Sequence, residues 1–144
     1  LSSAPGGTPT FVDALPESHR DLLTRPLTAT LTTVDSRGRP QSTAIWYLVD
    51  DGQLVGSTTS DRQKYKNLVG NPNCALFIID PGNSFRTVEV RAEAEVKPDR
   101  DKATVRKLAN AYCVDEAMLV NEQEDRYTIA FRPRRIVVNP PAEG

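Results

Sequence analysis

The sequence has one histidine, one methionine, one tryptophan and two cysteines in 144 residues. Zinc sites and Cys–His dyads draw on histidine and cysteine, so both are poorly supplied here. Cys74 and Cys113 lack metal-ligand spacing, and no metal is expected. Cys74 falls in an apolar stretch and reads as a buried thiol. His19 stands beside Arg20 on a predicted helix and reads as a surface or packing residue. Charge of one sign is also lacking: 18 Lys and Arg stand against 19 Asp and Glu, a formal net charge of −1. That balance argues against nucleic acid as an obligate partner, which calls for a basic excess. No apolar run reaches the ~20 residues of a membrane span, and no charged-then-apolar leader opens the sequence. A cytoplasmic protein is the expectation.

The composition, 38% hydrophobic and 26% charged, is that of a folded chain with a real core. Residues 1–10, rich in Ser, Gly and Pro, read as a flexible tail, leaving 11–141 as one domain. Asp13–Leu23 reads as a short helix with Pro16 early. Leu27–Val34 and Gln41–Val49 read as a hairpin around Asp35–Pro40, with Gly38 free to take positive φ. Asp50-Asp51-Gly52 is a second tight turn, leading into a strand over Gln53–Thr59. Cys74–Ile79 reads as a central strand. Arg86–Lys97 alternates, with Val88, Val90, Ala92, Ala94 and Val96 on one face and charges on the other. A helix follows Pro98 over Asp99–Tyr112, then a short one over Asp115–Asn121. Arg126–Phe131 and Arg135–Val138 read as two final strands. Short turns without βαβ alternation predict a six-stranded antiparallel sheet, closed or nearly closed into a small barrel.

The chemistry concentrates at Ser57–Pro72. A strand end, a hydroxyl-rich turn and a short helix follow one another, with Ser60 and Gln63 in capping-box spacing. Helix N-termini offer free N–H groups and partial positive charge, which suit a phosphate. Ser57, Thr58 and Thr59 add hydroxyls, and Arg62 and Lys64 fall in the first turn. Cations there oppose the macrodipole, a conflict that a bound anion offsets. A solvated basic face is the alternative reading of the same residues.

The ordered combination of Leu-Thr-Thr, Asp-x-x-Gly-Arg-Pro-Gln, Trp46-Tyr47, Arg-x-Lys-x-x-Asn-Leu-x-x-Asn-Pro, an apolar strand and Val-Glu-Val-Arg-Ala resembles a known superfamily. It is that of the split β-barrel flavin and deazaflavin oxidoreductases related to pyridoxamine 5'-phosphate oxidase. The likeness runs from about Leu15 to Pro140 and is greatest to the actinobacterial F420-dependent branch. It implies a mostly-β split barrel, FMN-binding-like, that pairs as a homodimer with the cofactor at the subunit interface. It further implies Arg62 and Lys64 on the cofactor phosphate, and Ser57, Thr58 and Thr59 along the ring and ribityl chain. Gln41, Ser42, Thr43 and Ala44 correspond to the strand beside the ring, and Asn67 to a residue ordering the site. Asn83, Ser84, Phe85 and Arg86 correspond to contacts from the partner subunit. F420 also carries an oligoglutamate tail, for which Arg37, Arg39, Lys66, Arg132, Arg134 and Arg135 are available cations, though solvated charge is the simpler account of them.

The resemblance implies hydride transfer from reduced F420 to a small conjugated acceptor, with no catalytic side chain identified. Such transfer depends on placement more than on an acid or base. The alternatives are an FMN oxidase or flavin reductase of the same fold, and a non-catalytic carrier of a cofactor or haem-like ligand. A lone histidine makes haem ligation unattractive. Among neighbouring residues, Trp46, Tyr47, Tyr127 and Phe131 read as core aromatics. Glu89 and Arg91 read as a cross-strand ion pair, and Arg132–Arg135 as a basic patch.

Overall fold

Alternating Thr, Val, Ile and Leu build seven strands in the computed structural model, which describes residues 11–141. They are β1 (Ala29–Val34), β2 (Pro40–Ile45), β3 (Leu48–Asp50), β4 (Gln53–Thr59), β5 (Asn73–Asp80), β6 (Asn83–Pro98) and β7 (Arg126–Asn139). The helices are α1 (Asp21–Thr24), α2 (Gln63–Gly70), α3 (Ala103–Ala111) and α4 (Glu116–Leu119). The expected tail over residues 1–10 lies outside the described residues. One antiparallel sheet runs in the order β2-β1-β5-β6-β7-β4-β3.

The ends of this list are consecutive in the chain. Edge strand β2 stops at Ile45 and edge strand β3 starts at Leu48. Three steps of backbone span at most about 10 Å, so the sheet must curl until its two edges are neighbours. No ladder joins them: the barrel is split at Trp46 and Tyr47, and the mostly-β split-barrel expectation holds.

Tyr112, just past α3, bridges the split. Its hydroxyl accepts from the Tyr47 N–H at 3.0 Å. It also faces the carbonyls of Leu27 at 2.6 Å and Tyr47 at 2.9 Å, one of which takes its proton. Its ring stacks on Trp46, with centroids 4.4 Å apart and planes within 10°. The Tyr47 hydroxyl in turn donates to the Leu22 carbonyl at 2.7 Å, and burial holds that phenol protonated far above the ordinary range.

The core lies on the inner face. Leu31, Leu54, Leu76, Ile78, Val88, Val90, Ile129 and Phe131 pack there with Leu15, Leu22 and Leu23 from the N-terminal segment. Cys74 is buried, and burial pushes its thiol up to about 12.

Several boundaries differ from the sequence reading. The strand expected over Gln41–Val49 is two, because the chain changes partners from β1 to β4 at the split. The last two expected strands are one, β7. A bulge admits Pro133 opposite Ala92 in β6, so the missing N–H does not break the ladder. The sheet has seven strands where six were expected, although these two changes offset each other. The expected helix over Asp13–Leu23 is two 3-10 turns and the single turn α1, because Pro16 sets an extended step between them. Residues Arg100–Lys102 likewise form a 3-10 turn before α3, and the Asp99 carboxylate accepts from the N–H groups of Thr104 at 2.9 Å and Val105 at 3.1 Å. Glu89 and Arg91 pair along one strand, not across two.

Arg86 ties the N-terminal segment to the β5–β6 hairpin. It donates to Asp21 at 2.6 and 2.8 Å, to Asp80 at 2.9 Å and to the Ser18 carbonyl at 2.7 Å. The Arg86 hydrogen bond holds Asp21 down at about 2. A depressed acid stabilises the fold above its unfolded value of 3.8 and loses that contribution as pH falls toward 2.

Two outcomes follow for stability. Tyr112→Phe keeps the stack but leaves the buried Tyr47 N–H without an acceptor, at a cost of about 1–3 kcal/mol. Thermal melts and hydrogen exchange read it, with the Tyr47 amide losing protection. Arg86→Met removes the main partner of Asp21 and of Asp80, leaving Arg25 as their remaining cation, costs about 1–2 kcal/mol and lowers Tm by roughly 3–10 °C. Its melting temperature then falls less steeply than the wild type's between pH 4 and pH 2 (Asp21 no longer titrates from about 2).

Candidate functional site

A cavity of about 260 Å³ opens beside the split. Its floor is the end of β2 and the link (Ala44, Ile45, Trp46), with Thr28 ahead of β1. One wall is apolar: Val105 and Leu108 from α3 and Leu119 from α4. The polar part of the lining is Ser57 from β4, Lys64 from α2 and Arg126 from β7. The lining thus combines side chains that suit a flat apolar body with others that suit an anion.

The helix that carries Lys64 is short of acceptors at its start. Arg62, not Ser60, takes the N-cap position, and no side chain caps it. Gln63 instead donates to Asn67 at 2.8 Å, so the expected capping box does not form. Among the described residues, the N–H groups of Gln63 and Lys64 find no acceptor. No acid occupies the first turn. The Lys64 and Arg62 side chains make no hydrogen bond or ion pair with any described residue. Lys64 is half-buried, and burial together with the Arg62 charge holds its ammonium below the ordinary lysine value. A half-buried cation without a counter-ion is unfavourable as it stands. The donor set fits a phosphate group, and the apolar wall fits a fused ring.

The other expected residues fall in four groups. Ala44 and Ser57 line the cavity with Lys64. Thr58 and Thr59 are buried and spend their hydroxyls locally, on the Thr59 carbonyl at 3.3 Å and on Asp61. Ser42 bonds Thr32 at 2.8 Å, and Thr43 Oγ1 is buried with no partner among the described residues. Gln41 and Asn67 form a brace: buried Asn67 donates to Thr33 at 3.0 Å and to Gln41 at 3.3 Å. That brace locks α2 onto β1 and β2. Asn83, Ser84, Phe85 and Arg86 lie at the β5–β6 hairpin and do not line the cavity; Arg86 is held by Asp21 and Asp80.

Arg126 and the apolar wall were missed from the sequence. Arg126 reads there only as the first residue of a strand. Its place in the recess depends on β7 pairing with β4, a contact 67 positions apart at Thr59–Arg126. Trp46, expected in the core, is half-buried and lines the cavity, while Tyr47 and Phe131 are core as expected. Tyr127 is half-buried against Tyr65, with centroids 4.7 Å apart. His19 has both ring nitrogens engaged, one with Ser18 at 2.8 Å and the other with the Asn139 carbonyl at 2.9 Å. Among the described residues no His, Cys, Asp and Glu cluster suits a metal ion, and no helix is long and apolar enough to cross a membrane.

Solved structures share this architecture. An F420 reductase is similar at 37% identity, over 85% of this chain and 98% of its own, with a TM-score of 0.77. A conserved hypothetical protein from Mycobacterium tuberculosis is 26% identical over 88% of this chain and 85% of its own, with a TM-score of 0.72. A haem storage protein from Vibrio cholerae shares the fold at 16% identity over 81% of this chain and 89% of its own, with a TM-score of 0.62. None of the curated proteins matches by sequence. The pyridoxamine 5'-phosphate oxidase family matches residues 15–138, nearly the whole described chain. With that span and this topology, the chain belongs to the pyridoxamine 5'-phosphate oxidase family.

Proposed function

We propose that the protein is an oxidoreductase that binds reduced F420 and directs its hydride to a small conjugated acceptor. The observation that carries this reading is Lys64: a half-buried ammonium with no counter-ion, beside two free helix N–H groups and a ring-sized apolar recess. The 37%-identical F420 reductase favours F420 over FMN as the ligand. When bound, the cofactor supplies the hydride; the chain supplies placement. Lys64, Arg62 and the α2 N–H groups hold the phosphate. Ser57 and the Gln41–Ala44 strand lie along the ring, and Val105, Leu108 and Leu119 exclude water from one side of it. The Asn67 brace fixes the angle between the phosphate grip and the ring strand. Rate then depends on positioning, in keeping with a recess that holds no histidine, cysteine or carboxylate.

The test is a parallel titration of the full chain with F420 and FMN, followed by fluorescence. Tight F420 binding with weak FMN binding supports the reading, and the reverse preference makes it an FMN enzyme. Binding without reductase activity across an acceptor panel makes it a carrier. Arg62→Ala with Lys64→Ala weakens the bound cofactor by roughly 100-fold or more, since hydrogen bonds to charged groups are the strong ones. Affinity weakens as pH rises through the Lys64 value, sooner than for an exposed lysine. For stability the sign is opposite. The folded state binds fewer protons in the window between the lowered value and 10.5, so Lys64→Met raises Tm at neutral pH while it loses affinity.

A second copy of the chain completes the proposal. Phe77, Ile79 and Val137 are exposed on adjoining strands, and Phe85 is 77% exposed at the hairpin. Ligand sites usually enclose about 300–1,000 Å³, so a 260 Å³ recess holds only part of such a cofactor. A homodimer formed through this face brings Asn83, Ser84, Phe85 and Arg86 of one subunit toward the other's site. Phe77→Glu with Phe85→Glu shifts the mass measured by light scattering from dimer to monomer and weakens cofactor binding. A monomeric wild type sinks the shared-site geometry.

A further inference from the structure

Resting on the cavity as the cofactor's phosphate site, we infer that Arg126 is a third cation of that site and binds the phosphate directly. The topology places it there. Arg126 opens β7 and pairs with Thr59, the last residue of β4, while α2 begins four residues later at Gln63. The guanidinium and the α2 start therefore rise from the same end of two paired strands. Arg126 and Lys64 line one recess together with Ser57 of β4.

The guanidinium is held on one side and underused on the other. Nη2 donates to the Leu119 carbonyl and to Glu124, both at 3.0 Å. Nη1 reaches only Ser57 Oγ, at 3.4 Å, the outer limit of a hydrogen bond. The side chain is 16% exposed, so little water replaces the missing acceptor. Glu124 offsets part of the positive charge, so Arg126 contributes direction as well as attraction: a fixed planar fork aimed at an oxygen. The same side chain holds the carbonyl of Leu119, whose own side chain lines the cavity. Phosphate binding and the placement of the apolar wall thereby share one residue.

The experiment separates the phosphate from the ring. Full-length Arg126→Met and Arg126→Lys proteins are titrated with F420, FMN and riboflavin, and with the deazaflavin chromophore that lacks the phosphate; Tm is measured alongside. Arg126→Met weakens the phosphorylated cofactors by about 10–100-fold and the phosphate-free chromophores by less than about 3-fold. The slope of log Kd against log salt becomes shallower, and Arg126→Lys recovers part of the loss. Equal weakening of both forms shows that Arg126 only supports Leu119, and overturns the inference. So does an unchanged Kd for the phosphorylated forms while Arg62→Ala with Lys64→Ala still removes phosphate selectivity. A wild type that binds neither form, or makes no distinction between them, overturns the phosphate site itself and Arg126 with it.

Discussion

The architecture depends on one hydroxyl. A sheet that runs from β2 to β3 has to bring its first and last strands together across a two-residue link, and no backbone ladder joins them. The Tyr112 hydroxyl supplies what the ladder lacks, accepting from the Tyr47 N–H and donating to one of the carbonyls of Tyr47 and Leu27. Buried backbone groups need partners, so a split without such a bridge would be costly. The same residue stacks on Trp46, which floors the cavity. The seam of the barrel and the edge of the recess are one structure.

The recess is built against electrostatic preference. Lys64 is partly withdrawn from water, Arg62 stands beside it, and both sit where a helix already presents positive potential. Each choice disfavours the free protein and favours a bound anion. Residues that hold a ligand commonly work against the fold in this way. The opposing support comes from the Asn67–Thr33–Gln41 brace, which is buried and bonded on each side.

Much of this was legible in the sequence, and the limits have physical causes. The alternation of Arg86–Lys97 marks β6 because one face is core and the other is wet. The Arg62-x-Lys64 pair marks the start of α2 as a candidate anion site because those cations conflict with the helix that bears them. The break expected between Phe131 and Arg135 does not occur, since a bulge, invisible in a linear reading, carries β7 past Pro133. Ser60 failed as a cap because the turn runs two residues further before helical geometry begins at Gln63. Arg126, Leu119 and Leu108 escaped notice because their meeting with β2 and α2 is tertiary, and no local period encodes it.

The recess takes its two qualities from separate lengths of chain. Its cations come from α2 and β7, tied to the sheet, whereas its apolar wall comes from the segment spanning α3 and α4. On the proposed reading, substitutions at Val105 and Leu108 would reshape what fits against the ring and leave the cations in place, whereas Leu119, whose carbonyl Arg126 holds, touches both. If the proposed function holds, a lineage built on this frame could exchange one acceptor for another while its redox partner stayed the same.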